Sequence, residues 1–417
     1  VQETEKEHED ILEQADETDA VFGELYSWYL RNTEYRSRVQ KLVQSAFAGK
    51  PEDIISQSVA KALYGEVSPY SATRLERFAA CAFAHFLQYG MKLTERVEYE
   101  FKPMDMGNVM HEALESFAEE VRKRGMKWTE LTEQERNEIA DRCLDNIVAD
   151  YGNTVLKSSA RNEYMIERTR RILRRTVWAL QKQLEQGEFQ PEGFEVTFGG
   201  GRIDRVDIME DQNKVYVKVI DYKTGNTSFD LVYLYHGLQL QLMIYLDGAL
   251  RVEQKKYPDK EIIPAGVFYY NIKDPMIQEK IDADVEAVSA GLMKELKMNG
   301  LVQADPELVY RMDSSLGSIP VAFNKDGSFR KNSSVADRTQ FAVLGRYVRT
   351  KIEKIRSSIL EGDAEVSPYE LGKKNACTYC PYMTVCGFDR RLSGYEFRRL
   401  KNFSDEELWK AFDREAE

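Results

Sequence analysis

The sequence predicts a helix-rich α/β protein with a small sheet, and three patterns carry that expectation. Apolar residues recur at helical spacing up to about residue 190 and again after Asp274. Between them, "GFEVTFGGGRIDRVDIMEDQNKVYVKVIDYKTG" switches to the period-two alternation of three strands. "IIPAGVFYYNIKDP" adds a strand apolar on both faces, as in a sheet covered by helices on each side.

Taken in order, residues 1–65 are expected to form an acidic and then mixed helical lead-in. The chain opens on Val1 without a methionine, which suggests a fragment with an upstream portion missing. In "SPYSATRLERFAACAFAHFLQYG", Ser71 or Thr73 can cap a helix whose apolar positions include Leu75, Phe78, Ala79, Phe83 and Phe86. "GNVMHEALESFAEEVRKRG" places Val109, Ala113, Phe117 and Val121 on one stripe, widened by Met110, Leu114 and Ala118. Thr132 and Glu135 form a capping box for a third helix, running to about Ala149. "NEYMIERTRRILRRTVWALQKQLEQG" is a long fourth. The strands follow, with a turn at Asp211-Gln212-Asn213, and then "LVYLYHGLQLQLMIYLDGALR" reads as one buried helix. The irregular stretch "AFNKDGSFRKNSSVAD" interrupts the helical remainder. These patterns suggest a main domain over 66–395, with a helical insertion at about 125–190 and a helical tail over 396–417.

Composition bounds the function. With 42% hydrophobic and 31% charged residues the chain is globular in type. It has no apolar run near the ~20 residues that span a bilayer and no opening signal peptide, so no membrane partner is expected. The net charge of −12 means that any nucleic-acid binding must come from local basic patches. A G-x-x-x-x-G-K-[ST] phosphate loop is absent, so ATP hydrolysis is not expected of these residues.

The strands end on an arrangement that needs explaining. In "VIDYKTG", Asp221 and Lys223 are two residues apart and share one face of a strand. Asp204 lies on the preceding strand of the hairpin, and a suitable register brings the two carboxylates together. Two such acids repel unless a cation neutralises them, and hard oxygen ligands suit magnesium or manganese. Lys223 could then offset charge developing on a phosphate. The plain alternative is a solvated ion pair at a strand end. His111, at the edge of its helix's apolar stripe with Glu115 one turn on, could complete a metal site. Gln241 and Tyr245 lie one turn apart on an otherwise apolar helix and need polar partners. The nearby acids Glu195 and Asp207 are left outside the metal-binding set.

Two further groups stand out. "CTYCPYMTVC" gives Cys377, Cys380 and Cys386, and Cys81 lies nearly three hundred residues earlier. Four such thiolates suit either zinc or a 4Fe–4S cluster, and the lone remote cysteine favours iron–sulfur. Joining a loop that long would stabilise the fold by about 5–6 kcal/mol on the chain-entropy estimate, so Cys81→Ala should misfold. Cys143 reads as a small buried hydrophobe. In "IERTRRILRRTVW", Arg168, Arg171 and Arg175 share a helix face, either as a solvated surface or as a DNA phosphate-tracking wall, with Phe329-Arg330-Lys331 a weaker candidate.

The elements "GNVMHEALE", "GRIDRVD…VIDYKTG" and "QLMIY" stand in an order that resembles the RecB-type nucleases of the PD-(D/E)XK superfamily. That resemblance implies a restriction-endonuclease-like core, a small mixed sheet flanked by helices. It implies a metal held by His111, Asp204, Asp221 and the Tyr222 carbonyl, with Lys223 catalytic and Gln241 and Tyr245 supporting the site. The gap between His111 and Asp204, filled by long helices, departs from the pattern. One upstream cysteine and a C-x2-C-x5-C after the core resemble the iron–sulfur nucleases, with Ala82 where proline is usual. From about Leu63 onward the resemblance is strongest to the C-terminal nuclease domains of AddB-type subunits of AddAB helicase–nucleases. It implies a magnesium- or manganese-dependent exodeoxyribonuclease with a 4Fe–4S cluster acting as a staple. DNA and an AddA-like helicase–nuclease subunit would be its partners in recombinational repair, in a bacterial cytoplasm. The alternatives are a freestanding CRISPR-associated iron–sulfur exonuclease or a DNA-end-binding module without catalysis.

Overall fold

A computed structural model describes residues 20–47, 54–65, 71–94, 103–150, 159–199, 201–277, 284–392 and 394–416. They fall into two compact units, one of residues 1–53 with 387–396 and the other of 54–386 with 397–417. The smaller unit contains a helix over 20–31 (α1) and Arg36–Phe47 (α2), with Trp28, Tyr29 and Tyr35 packed ring to ring.

The larger unit is centred on a six-stranded mixed sheet, β1 to β6 in spatial order. Strands β1 (Gln190–Phe198), β2 (Gly201–Asp211) and β3 (Lys214–Lys223) form an antiparallel meander. Strand β4 (Glu261–Asn271) runs parallel to β3, β5 (Asn299–Gln303) antiparallel to β4, and the short β6 (Val335–Ala336) parallel to β5. The sequence foresaw β1 to β4. It did not show β5, whose five residues are too few for a periodic signal.

Helices cover both faces, as the doubly apolar β4 implied. On one face lie α6 (Pro103–Lys123), α7 (Glu133–Asp150) and α8 (Ala160–Glu185), which pack with Ile220, Tyr222, Phe268 and Tyr270. These helices share one core with the sheet. Thr132 and Glu135 exchange the hydrogen bonds of the foreseen capping box at the start of α7. On the opposite face, α3 (Gln57–Tyr64), α4 (Ala72–Ala80), α10 (Gln241–Lys256), α13 (Arg338–Glu361) and α15 (Asp405–Ala416) enclose Val217, Val219, Val267 and Tyr269. Helix α3 and the C-terminal α15 both pack into this core. The short helices α5 (Ala82–His85), α9 (Leu231–Tyr235), α11 (Val285–Glu295), α12 (Pro306–Met312) and α14 (Met383–Cys386) complete the unit. A three-stranded sheet of residues 369–399 lies near its end.

Two helices that the sequence draws as continuous are broken. The stretch "LVYLYHGLQLQLMIYL" divides into α9 and α10 because Gly237 takes a φ of +78°, which other residues adopt only with strain. The stretch after Ser71 divides at Cys81, whose backbone is extended (φ −166°, ψ 118°), between α4 and α5. Beyond α5 it continues as a π-helical turn over Phe86–Gly90.

Candidate active site

The site is built at one end of the meander. Phe198 pairs with Gly201, and counting back along that register puts Glu195 level with Asp204. Arg205 pairs with Ile220, and one further step puts Asp204 level with Asp221. Three acids on three neighbouring strands thus form a row. Asp204 is fixed by the Tyr222 backbone N–H, which donates to its Oδ2 at 2.7 Å. Helix α6 brings His111 over this row. Its Nδ1 lies 3.4 Å from Asp204 Oδ2 and 3.8 Å from a Glu195 oxygen, and its ring packs edge-on against Tyr222. The other Glu195 oxygen meets Arg202 Nε at 2.5 Å.

His111, Glu195 and Asp204 each offer a ligand atom within 4.8 Å of the others, the spacing of a metal site. Among the predicted ligands, His111 and Asp204 come together. Glu195, which sequence reasoning left out, joins them. Counting back from the "FGGG" turn would have found it opposite Asp204. Asp207 is buried and stays outside, bound by Arg205 at 2.6 Å and Lys218 at 3.0 Å as an internal charge network. Asp221 occupies the next strand and meets Lys223 Nζ at 2.6 Å through Oδ2.

Lys223 is held from several sides. Its Nζ donates to Gln241 Oε1 at 2.8 Å and stands 5.5 Å from the centre of the Tyr269 ring. The Gln241 amide in turn donates to Tyr245 Oη at 2.9 Å, so the predicted polar pair on α10 finds its partner in the site. The helix break at Gly237 sets where α10 begins, and hence where Gln241 projects.

Electrostatics fit a cation site. Burial and the neighbouring Asp204 push the Asp221 carboxyl up to about 7. Burial alone would lower His111, but hydrogen bonding to Asp204 and Glu195 lifts it to about 10. Besides burial, both shifts reflect carboxylates held close together in this pocket. Oxygen ligands with one imidazole suit Mg2+ or Mn2+, the imidazole favouring manganese. Asp221 is buried, and its Oδ2 faces the Lys223 ammonium, its ion-pair partner among the described residues.

The chain's likeness to known proteins agrees with this geometry. The model of the PD-(D/E)XK nuclease superfamily matches residues 69–387, the span that contains the sheet, the acids and Lys223. The chain belongs to the PD-(D/E)XK nuclease superfamily. It is 41% identical to an AddB-type protein, a subunit of the ATP-dependent helicase/deoxyribonuclease of Lachnoclostridium phytofermentans, over 95% of this chain and 36% of the relative. It is 34% identical to the corresponding protein from Alkaliphilus metalliredigens, over 95% of this chain and 37% of the relative. For that of Clostridium acetobutylicum the identity is 33%, over 96% and 36%. The chain thus spans little more than a third of the length of these curated relatives.

Within the nuclease fold, the four predicted cluster cysteines lie in the larger unit. Cys81 and Cys380 share a small apolar cluster with Ala84, Leu87 and Tyr382. Burial, with Cys81, Cys380 and Cys386 nearby, pushes the Cys377 thiol up to about 12. Among the described residues no three of these sulfurs lie within 4.8 Å of one another. Cys143 is buried within α7, as expected.

The arginines of α8 are divided. Arg170 donates to Asp145 at 2.7 Å, Arg174 to Asp141 at 2.8 Å and Arg171 to Asp274 at 2.6 Å. Arg168 is exposed and Arg175 lies over the Trp178 ring, and neither forms an ion pair among the described residues. Asp274 follows three residues after Asn271, which pairs with Lys223 across the sheet. Arg171 therefore ties α8 to the end of β3 and β4 that carries Lys223. Arg330 donates to the Phe323 carbonyl in a local turn.

Proposed function

We propose that this chain is the nuclease portion of a helicase–deoxyribonuclease, hydrolysing phosphodiesters of a DNA strand as an exonuclease at processed ends. The observation that carries this reading is the convergence of Asp204, Glu195 and His111 beside the Asp221–Lys223 pair. His111, Asp204, Asp221 and Glu195, with the Tyr222 carbonyl, would hold Mg2+ or Mn2+. A bound divalent cation would neutralise the acids and polarise the phosphodiester. Lys223, oriented by Gln241 and Asp221, presents its ammonium where charge develops on the phosphate. Tyr245 fixes the far end of that amide.

Arg168 and Arg175, with Trp178 beside them, would track the phosphates of the incoming strand, and Arg171 would hold the helix in place. An AddA-like helicase partner would feed that strand, in the bacterial cytoplasm suggested by the relatives. The four cysteines would carry a 4Fe–4S cluster, the reading favoured by one remote Cys81 together with the C-x2-C-x5-C of Cys377, Cys380 and Cys386. A DNA-end-binding module without catalysis has no use for Lys223 poised between Gln241 and a buried acid.

The test is cleavage of linear single- and double-stranded DNA with Mg2+, against chelator and against Asp221→Ala. Cleavage that needs the metal and is lost by at least about a hundredfold in a folded Asp221→Ala protein supports the reading. Binding without cutting contradicts it.

A further inference from the structure

Helix α10 has no cap of its own. Leu240, the residue before it, makes no side-chain cap hydrogen bond, so the first N–H groups need an acceptor from elsewhere. Glu76, in the middle of α4, supplies it. One of its oxygens, Oε1, accepts from the Leu240 N–H at 2.7 Å and from the Gln241 N–H at 3.0 Å. A carboxylate there also meets the positive end of the α10 dipole. Leu240 is fully buried, so water cannot replace the acceptor at that N–H.

What makes this cap consequential is the residue it holds. Gln241 carries the amide that accepts from Lys223 at 2.8 Å and donates to Tyr245 at 2.9 Å. On its other side, Lys223 meets Asp221 at 2.6 Å. Glu76 thus fixes the backbone from which the lysine's partner projects. Its own helix is fixed in turn: the neighbouring Arg77 donates to Gln88 at 2.7 Å, and α4 ends at Cys81.

We infer that Glu76 is a positioning residue for the nuclease site, a cap supplied from another helix that sets Lys223 through Gln241. The inference rests on the nuclease reading above. Without the carboxylate, the Leu240 and Gln241 N–H groups lose their acceptor, the first turn of α10 loosens, and the amide no longer aims the lysine. DNA binding should not suffer, because Glu76 acts on α10 and not on the α8 arginines. The loss belongs in turnover.

The experiment compares the full chain with Glu76→Ala, Glu76→Gln and Glu76→Asp in steady-state cleavage with Mg2+, alongside amide hydrogen exchange over residues 240–245. Glu76→Ala should lower kcat on the order of tenfold to a hundredfold with KM for DNA nearly unchanged. Glu76→Gln, which keeps an acceptor oxygen in place, should recover most of that loss. Wild-type turnover in Glu76→Ala, or a change in KM alone, overturns the inference. Should the alanine protein fail to fold, Glu76→Asp decides. It keeps the charge but withdraws the oxygen, so a reduced kcat supports the cap and an unchanged kcat overturns it. Should the wild-type chain itself fail to cut, the nuclease reading falls, yet exchange still judges the cap. Faster exchange at Leu240 and Gln241 in Glu76→Ala but not in Glu76→Gln supports it, and equal exchange in all overturns it.

Discussion

Glu195 has a backbone φ of +49° inside strand β1, a conformation that costs a non-glycine residue about 1–3 kcal/mol. The strained residue is the acid that reaches His111, and that coincidence points to function. Glu195→Gln keeps the shape and removes the charge. It should weaken Mn2+ binding roughly tenfold by calorimetry, with little change in Tm. A further outcome follows from Asp221, whose folded pKa of about 7 lies above the ordinary carboxylate value. Between about pH 4 and 7 the folded state holds a proton that the unfolded state has lost. Metal-free protein should therefore lose stability as pH rises through that window, the raised His111 should carry the loss on towards about pH 10, and saturating Mn2+ should reverse the trend. Urea midpoints across pH, with and without metal, check this. At this scale the sequence was informative wherever one strand's period was enough: Asp221 and Lys223 are legible because i and i+2 share a face. Glu195 and Glu76 were not, because one needs the register across a glycine turn and the other a contact between helices far apart in sequence.

The helices show a similar division. Their existence was legible in α6, α7 and α8, where apolar stripes and a capping box agree. The breaks at Gly237 and Cys81 were hidden, because the apolar pattern continues through both. Gly237 joins α9 to α10 at φ +78°, and a Cβ there would stand 3.2 Å from that of Ala79. Gly237→Ala should cost about 1–3 kcal/mol of stability, read as a lower urea midpoint, and should slow turnover by displacing Gln241. Cys81 sits at the other joint, where extended backbone ends α4. Cys81→Ala should yield misfolded protein without the broad visible absorbance expected of anaerobically purified wild type. A Cys81→Ala protein that folds and cuts normally would mean that the cysteines staple nothing.

For the whole molecule, a net charge of −12 opposes DNA, so affinity must be local and salt-sensitive. Among the described residues, Arg168 and Arg175 form no ion pair, whereas Arg170, Arg171 and Arg174 are already engaged by aspartates. Reversing both Arg168 and Arg175 to glutamate should weaken single-strand binding and reduce the slope of log affinity against log salt by about 1–2. Sequence spacing placed these arginines on one face but could not reveal which had partners, because those partners lie on α7 and after β4. Catalysis as proposed depends on one pocket, where carboxylates from three adjacent strands and an imidazole from α6 surround a single cation. Anomalous diffraction from a crystal soaked in Mn2+ tests this most directly. A peak within about 2.0–2.4 Å of Asp204 and Asp221 oxygens and His111 Nδ1 is the predicted result. Fully bound manganese elsewhere in the chain, with these side chains unchanged, would contradict it.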